Sequence, residues 1–283
     1  MSRVDHRSRH LDRIAEVRAG LRAEKVGYPI GIRETRVVRT AMVGTGLLRV
    51  TLGGPGTEGF EAHAPDEHVK LILPDPDGTL RLPEPDGAML RWPRPAPVSR
   101  QYTVRRYDPA TGEIDIDVAL HEGGLVSEWA SAARPGAVMH LAGPPGGLIV
   151  PHSYDRYLLV GDLTALPAIA RRLEELPRSA RGWAFVEVVD AAQEIELAAP
   201  EGVEVRWLHR GDRPVGADDA LVRAVTGVTV PEGERLYVWV AGEAGQIKPL
   251  RRWVRDELRL EKADHDITGY WKRGVADFDE DDH

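Results

Sequence analysis

The chain has 283 residues, 42% hydrophobic and 29% charged, with a net charge of −8 and no cysteine. That length accommodates two domains with separate cores, and no apolar run approaches the roughly 20 residues of a membrane-spanning helix, so no membrane insertion is expected. The lack of cysteine removes disulfides, thiolate catalysis and a cysteine-held iron–sulfur cluster, and the acidic balance argues against a nucleic-acid binder, which needs clustered cations for phosphate.

The first stretch, Met1 to Arg22, is rich in Arg and His and has no apolar signal core, so a cytoplasmic protein is expected. Residues 1–24 read as an extension, helical or disordered; as a helix it would place Leu11, Ile14, Ala15 and Leu21 on one side. From Arg33 to about Leu141 the rhythm is strand-like: Val37-Val38, Leu47–Leu52, Val69–Leu73 (which carries Lys70), Tyr102–Tyr107 and Ile114–Leu120. The last run alternates apolar and mostly polar residues, as a half-buried strand does. Turn clusters such as Gly53–Gly56, Pro74–Gly78 and Pro93–Pro97 separate these runs. Short strands between such turns predict a closed antiparallel β-barrel over residues 25–150.

Past Gly143–Gly147 the pattern changes, with a boundary expected near Pro144–Ser153. Strands at 157–160, 183–189, 203–208 and 236–240 alternate with helices at 165–176, 220–225 and 245–260. Strands alternating with helices predict an α/β domain over 151–275, a parallel sheet covered on both faces, whose ligands sit beyond the carboxyl ends of the strands. Residues 276–283 form an acidic tail with nothing to bury.

Five places carry candidate chemistry. In Val98–Tyr107, Arg100 can pair bidentately with a pyrophosphate, Tyr102 shares its face of the pleat, and the Thr103 hydroxyl can bond a flavin ring edge. The same four residues also describe an ordinary alternating strand. In Leu120–Ala130 a strand meets Gly123-Gly124 and then a helix, so Gly124–Ser127 offers backbone N–H groups and a hydroxyl to a pyrophosphate, or else Ser127 simply caps the helix. Gly161-Asp162-Leu163-Thr164-Ala165 sits where the first α/β strand turns into its helix, and Gly242-Glu243 ends the fourth strand; each suits close approach of a nucleotide or plain strand–helix packing. Near the end, Gly269-Tyr-Trp-Lys-Arg-Gly274 gathers two aromatics and two cations, a lip for an anionic substrate or an anchored segment.

Gly54-Pro-Gly-Thr-Glu-Gly59 matches a dinucleotide fingerprint but leads into no helix, so it reads as a surface loop. The ten histidines form no metal signature: His121-Glu122 lacks a second His, and His63 with His68 lacks further ligands. No metal site is expected. Neither a nucleophile elbow nor a P-loop is present.

Taken in order, Arg100-x-Tyr-Thr, Gly124-x-x-Ser127, Gly161-Asp-x-Thr-Ala-Leu-Pro-Ala-Ile169, Trp239-x-Ala-Gly-Glu243 and Gly269–Gly274 resemble the siderophore-interacting proteins, FAD-dependent ferric-siderophore reductases of the ferredoxin-reductase superfamily. The resemblance spans Lys25 to Gly274. It implies an FAD-binding barrel and an α/β domain that admits NADPH or NADH. The FAD set so implied is Arg100, Gln101, Tyr102, Thr103, His121, Gly123, Gly124, Leu125, Val126 and Ser127. The nicotinamide-nucleotide set is Gly161, Asp162, Thr164, Ala165, Arg210, Gly242 and Glu243; Tyr270 and Trp271 would stack on the flavin, and Lys70, Lys272 and Arg273 would attract the iron complex. Such proteins often carry Glu where this chain has Leu163, a departure that bears on nicotinamide placement. The implied reaction passes electrons from NAD(P)H through FAD to Fe(III)-siderophore, releasing Fe(II), with no side chain as acid, base or nucleophile. Its rivals are a non-enzymatic flavin or ferric-chelate binding protein and a generic flavin or electron-transfer reductase. A monomer or weak dimer is expected.

Overall fold

The computed structural model describes residues 3–276 and residue 278. The expected acidic tail lies outside the described residues apart from Ala276 and Phe278. The chain divides into two compact units, Met1–Glu16 with Lys25–Ile149, and Val17–Glu24 with Val150–His283.

The N-terminal stretch is a helix, α1 (Arg3–Arg18), with a different buried face from the expected one. His10, Ile14 and Val17, at i, i+4 and i+7, are buried, whereas Leu11 and Leu21 are 40% and 67% exposed and Ala15 also faces out. The polar His10 tolerates burial because its Nε2 lies 2.7 Å from Glu61 Oε2. Leu21 lies past the helix end.

The first unit continues with β1 (Glu24–Gly27), β2 (Ile32–Val43), β3 (Leu47–Gly53), β4 (His68–Ile72), a hairpin of β5 (Glu84–Asp86) and β6 (Met89–Arg91), β7 (Ser99–Thr103), β8 (Arg106–Asp108), β9 (Glu113–Ala119), α2 (Leu125–Ala132), β10 (Val138–Ala142) and β11 (Gly146–Ile149). Seven of these strands form one antiparallel sheet in the order β7-β4-β10-β2-β3-β9-β8, and β1 pairs with β11. The run expected as one strand from Tyr102 to Tyr107 is broken at Val104 and Arg105. Val104 N–H donates to Glu67 O just ahead of β4, and Arg105 N–H donates to Asp115 O on β9. The backbone thereby passes from one end strand of the barrel sheet, β7, to the other, β8. Val50, Leu52, Val69, Leu71, Ile116 and Leu141 fill the core, and Val126 and Ala130 of α2 cover it.

Strand β9 is not half-buried as its alternation suggests, since every residue from Ile114 to Val118 is buried. Its aspartates, on the face opposite Ile114, Ile116 and Val118, are covered by partners from the neighbouring strand, where Thr51 pairs with Asp115 and Arg49 with Asp117. The Thr51 hydroxyl donates to Asp115 Oδ1 at 2.6 Å, and Arg49 donates to both Asp117 oxygens at 2.7 and 2.8 Å. A buried carboxylate is tolerable only under such satisfaction.

The second unit contains β12 (Arg156–Asp162), α3 (Leu166–Glu175), β13 (Arg181–Val188), β14 (Gly202–His209), α4 (Ala220–Thr226), β15 (Leu236–Glu243), α5 (Ala244–Arg252) and β16 (His265–Trp271). All five strands are parallel, in the order β14-β13-β12-β15-β16. The inner strands β12, β13 and β15 are nearly continuous apolar runs because helices cover them; Leu221, Val225, Ile247, Leu250 and Trp253 pack on Leu158, Val160, Val238 and Val240. The helix expected to reach residue 260 stops earlier: Pro249 removes a donor, a π turn follows at Trp253–Glu257, and Arg259 reverses the chain at φ 53. Strand β16 escaped the sequence pattern because only Gly269 in it is buried.

Replacing Asp117 by Ala leaves the Arg49 guanidinium without its carboxylate, and should cost about 2–3 kcal/mol in chemical unfolding. A loss below about 0.5 kcal/mol, the range of an ordinary surface change, would show that the pair does not hold β3 to β9.

Candidate functional site

In the parallel sheet the chain runs from β12 outward through β13 to β14, then returns to the other side of β12 for β15 and β16. The order therefore reverses between β12 and β15, and ligands of open α/β sheets bind in the crevice at the carboxyl ends where this happens. Asp162 ends β12, and Gly242 and Glu243 end β15.

Asp162, 4% exposed, organises this end of the sheet. Its Oδ1 accepts from the Thr164 N–H at 2.8 Å and the Thr164 hydroxyl at 2.6 Å, while Oδ2 accepts from the Glu243 N–H at 3.1 Å and the Trp271 indole N–H at 2.8 Å. Gly242 sits at φ 151, and a Cβ there would lie 2.9 Å from Asp162 Oδ2, so only glycine lets β15 come this close. The sheet register shifts at the same point. Glu243 caps α5 by accepting from the Gln246 N–H at 2.7 Å, and its other oxygen accepts from the Arg273 N–H at 3.1 Å.

Sequence reasoning missed two neighbours. Gln246 Nε2 donates to Glu187 Oε1 at 2.8 Å, and both side chains are buried. Among the described residues neither Glu187 Oε2 nor Gln246 Oε1 has a hydrogen-bond partner. Burial pushes the Glu187 carboxyl above its ordinary value; the Gln246 bond pulls it back and the nearby Asp162 charge adds to the rise. Glu187 lay unread inside a buried strand, its only signal being a carboxylate near the end of an apolar run.

The remaining nucleotide candidates fall into two groups. Asp162, Thr164, Gly242 and Glu243 are joined by the bonds above. Gly161 and Ala165 pack against each other: Ala165 is fully buried, and a Cβ on Gly161 would meet Ala165 Cβ at 2.5 Å and Ala241 O at 2.9 Å. That glycine serves strand–helix packing. Leu163 is partly exposed on the same turn. Arg210 spends one guanidinium nitrogen on loop carbonyls, Arg213 O at 2.5 Å and Gly211 O at 3.3 Å. Trp271 is held by its indole on Asp162, and Tyr270 meets Trp239 edge-on at 6.3 Å. Lys272 and Arg273 are exposed, with Arg273 reaching Val215 O at 3.4 Å.

In the first unit, Arg100 and Tyr102 are partly exposed on alternate positions of β7, opposite Leu71 and Val69 of β4. Arg100 donates to Ser99 O at 2.7 Å. Burial pushes the Tyr102 hydroxyl up to about 12, against the pull of Arg100, so it is a neutral donor at physiological pH. Gln101 is exposed and Thr103 is 8% exposed. Helix α2 starts at Gly124 with no side-chain cap, so its first-turn N–H groups are open to an anion. Ser127 is not the cap: its hydroxyl accepts from the His121 N–H at 3.1 Å. Gly123 has φ 70 with nothing near it, and the His121 ring lies over Gly124, where a Cβ would come within 2.4 Å of it. Leu125 is exposed, but the Val126 side chain is buried in the core, so only its backbone can serve a ligand. An open cleft of ≈ 630 Å³ lies here, lined by Leu120, His121, Glu122, Ser127, Glu128, Ser131 and Ala132. The uncapped turn and the Arg-Tyr-Thr strand suit FAD, while Glu122 and Glu128 give the cleft an acidic rim. Lys70 sits 5.5 Å from the centre of the Trp92 ring.

A barrel followed by a doubly wound parallel sheet defines a flavin- and nicotinamide-binding architecture. Two family models match in that order: siderophore-interacting FAD-binding domain over residues 36–148 and siderophore-interacting protein over 154–274. The chain is 37% identical over 240 residues to ferric vibriobactin reductase ViuB of Vibrio cholerae, covering 84% of this chain and 88% of that one. It is 35% identical to the NADPH-dependent ferric-chelate reductase of Escherichia coli, covering 81% and 89%. The crystal structure of a siderophore utilization protein from T. fusca superposes with a TM-score of 0.85 at 39% identity, covering 91% of this chain and 98% of that one. The chain belongs to the siderophore-interacting protein family.

Glu187 offers a direct check on the buried acids. A carboxyl held above its unfolded value of 4.5 contributes stability that is complete below that value and lost as pH rises through the folded value. Glu187→Gln removes this loss, so thermal melts should show the variant gaining on the native protein at about pH 8 and gaining less at about pH 4. An equal difference at both pH values would contradict the assignment.

Proposed function

We propose that this chain is an FAD-dependent oxidoreductase that takes electrons from NADPH or NADH and delivers them to Fe(III) held by a siderophore, releasing Fe(II) in the cytoplasm. The observation that carries this is the pairing, in one chain, of a barrel matched by the siderophore-interacting FAD-binding model with a parallel sheet whose switch point is framed by Asp162, Gly242 and Glu243. Relatives named as ferric reductases, one of them NADPH-dependent, support the substrate and the donor.

FAD, when bound, splits the two electrons of a hydride donor into the single electrons that ferric iron accepts. The protein's part is holding and guiding. Arg100 supplies the cation for the cofactor phosphates, Tyr102 and Thr103 offer a ring and hydroxyls on the same strand, and the uncapped turn Gly124–Ser127 supplies N–H donors. In the second unit Asp162, Thr164, Gly242 and Glu243 frame the nucleotide, with Glu187 and Gln246 beside them. Lys70, Lys272 and Arg273 are the cations that draw in an anionic chelate. The chelator keeps the iron's coordination sphere, so the protein needs no ligand to the substrate iron.

The purified protein should be yellow, should lose its colour anaerobically with NADPH or NADH, and should regain it on adding a ferric siderophore while a ferrous chelator captures Fe(II). Colour that nicotinamide nucleotides leave unchanged would favour a non-enzymatic binder, and reoxidation without Fe(II) capture would remove the siderophore substrate. Arg100→Ala should weaken FAD retention by about 10- to 100-fold, the worth of charge-assisted hydrogen bonds; full flavin occupancy in the dilute variant would rule Arg100 out as the phosphate ligand.

A further inference from the structure

Apart from the flavin and nucleotide residues, the first unit assembles a second constellation. His63, without further ligands in the sequence, acquires them in the fold. His10 projects from α1, while Glu61 and His63 lie on the loop between β3 and β4. His10 Nε2 stands 2.7 Å from Glu61 Oε2, His63 Nε2 stands 3.8 Å from the same oxygen, and the three ligand atoms lie within 4.8 Å of one another. Their side chains are 8%, 25% and 13% exposed for His10, His63 and Glu61. The Tyr28 ring walls one side, 5.1 Å from the His10 ring and 5.7 Å from the His63 ring.

The loop is held in place independently of these groups. The buried Glu67 carboxylate accepts from the His63 and Ala64 N–H groups, both at 2.8 Å. Gly147 lets that turn pack closely, since a Cβ there would lie 2.5 Å from Ala64 Cβ and 2.7 Å from Glu67 Cγ. His63 is thus delivered to Glu61 by its own backbone.

A clasp between α1 and the loop needs only the His10–Glu61 pair. His63 Nε2, at 3.8 Å from the same oxygen, is beyond hydrogen-bond length, and its ring lies edge-on to Tyr28. Two imidazoles and a carboxylate converging on one point are, however, the donor set of first-row divalent cations. Metal–ligand bonds of about 2.0–2.2 Å place neighbouring ligand atoms roughly 3.0–3.4 Å apart. The observed 2.7 and 3.8 Å straddle that range, so the side chains reach it by shifts of about 1 Å.

We infer that His10, Glu61 and His63 bind one divalent first-row transition cation, Zn²⁺ or Fe²⁺, with the partly exposed side at His63 left open to water or a fourth ligand. The cation fastens α1 to the barrel loop, and its binding adds to the stability of the folded state by mass action. This site is independent of the reductase assignment, and its test does not read flavin chemistry.

The test uses untagged, full-length flavoprotein stripped with a chelator, then dialysed against Zn²⁺ or, anaerobically, against Fe²⁺, with retained metal counted and the melting temperature recorded. One equivalent of either cation should stay bound and raise the melting temperature. His63→Ala, which leaves the His10–Glu61 pair in place, should weaken retention about tenfold or more and abolish the thermal shift. Glu61→Gln should do the same, whereas His209→Ala, which removes an exposed imidazole paired with Glu194 at 2.6 Å, should retain metal like the native chain. Circular dichroism verifies that each variant is folded, and His63→Gln replaces His63→Ala if the latter is not. Retention of neither cation by the native protein, or native-like retention by a folded His63 variant, overturns the assignment.

Discussion

At the carboxyl end of β12 the carboxylate of Asp162 receives donors from three separated stretches of chain: the turn at Thr164, the end of β15 at Glu243 and the end of β16 at Trp271. A lone carboxylate buried to this degree would cost several kcal/mol, and bonds to a charged acceptor contribute about 1.5–3 kcal/mol each. The four bonds therefore offset the burial and tie three elements to one point. The Trp271 bond adds to the parallel pairing of β16 with β15, which matters because only Gly269 of that strand is buried. The bulge at Gly242 lies at the same point, where φ 151 and a Cβ position 2.9 Å from Asp162 Oδ2 leave no room for a side chain.

The glycines that make the sequence look like a nucleotide site do different physical jobs. Gly161 admits Ala165 and Ile169 of the following turn and helix; Gly242 admits Asp162; Gly124 lies under the His121 ring. Gly123, at φ 70, has open space where a side chain would be. The recognisable pattern is thus largely a record of how closely strands and turns approach one another. The ligand-binding capacity comes from what that closeness exposes: N–H groups at an uncapped helix start and a crevice between β12 and β15.

Most of the fold was legible in the sequence because each half has a pattern of its own period. The runs at Leu47–Leu52, Val69–Leu73 and Tyr157–Val160 sit inside β3, β4 and β12 with boundaries shifted by a few residues. The failures have a common cause, in that a distant partner overrides the local pattern. Asp115 and Asp117 read as solvent-facing, but Thr51 and Arg49 on β3 cover them. Leu11 reads as core, yet Glu61 makes His10 the residue that goes in. Trp271 reads as a flavin-stacking ring or an anchor, and its indole N–H is tied to Asp162, more than a hundred positions earlier. Glu187, Gln246 and the His10–Glu61–His63 cluster were invisible for the same reason, since each group draws on residues far apart in the chain.

Three carboxylates, Asp162, Glu187 and Glu243, stand at the carboxyl ends of β12, β13 and β15, in a chain whose net charge is already −8. Left as three full charges they would repel the phosphates of any nicotinamide nucleotide. The structure disarms each one differently. Asp162 is surrounded by four donors, Glu243 is turned onto the start of α5 and the Arg273 N–H, and Glu187 is pushed by burial and by Asp162 toward its neutral form. Glu187 Oε2 and Gln246 Oε1 have no hydrogen-bond partner among the described residues. Two such oxygens side by side suit a ligand group that donates hydrogen bonds, such as an amide or a hydroxyl. The acids at this end of the sheet are therefore held by donors or by burial, which softens the conflict between an acidic protein and an anionic cofactor.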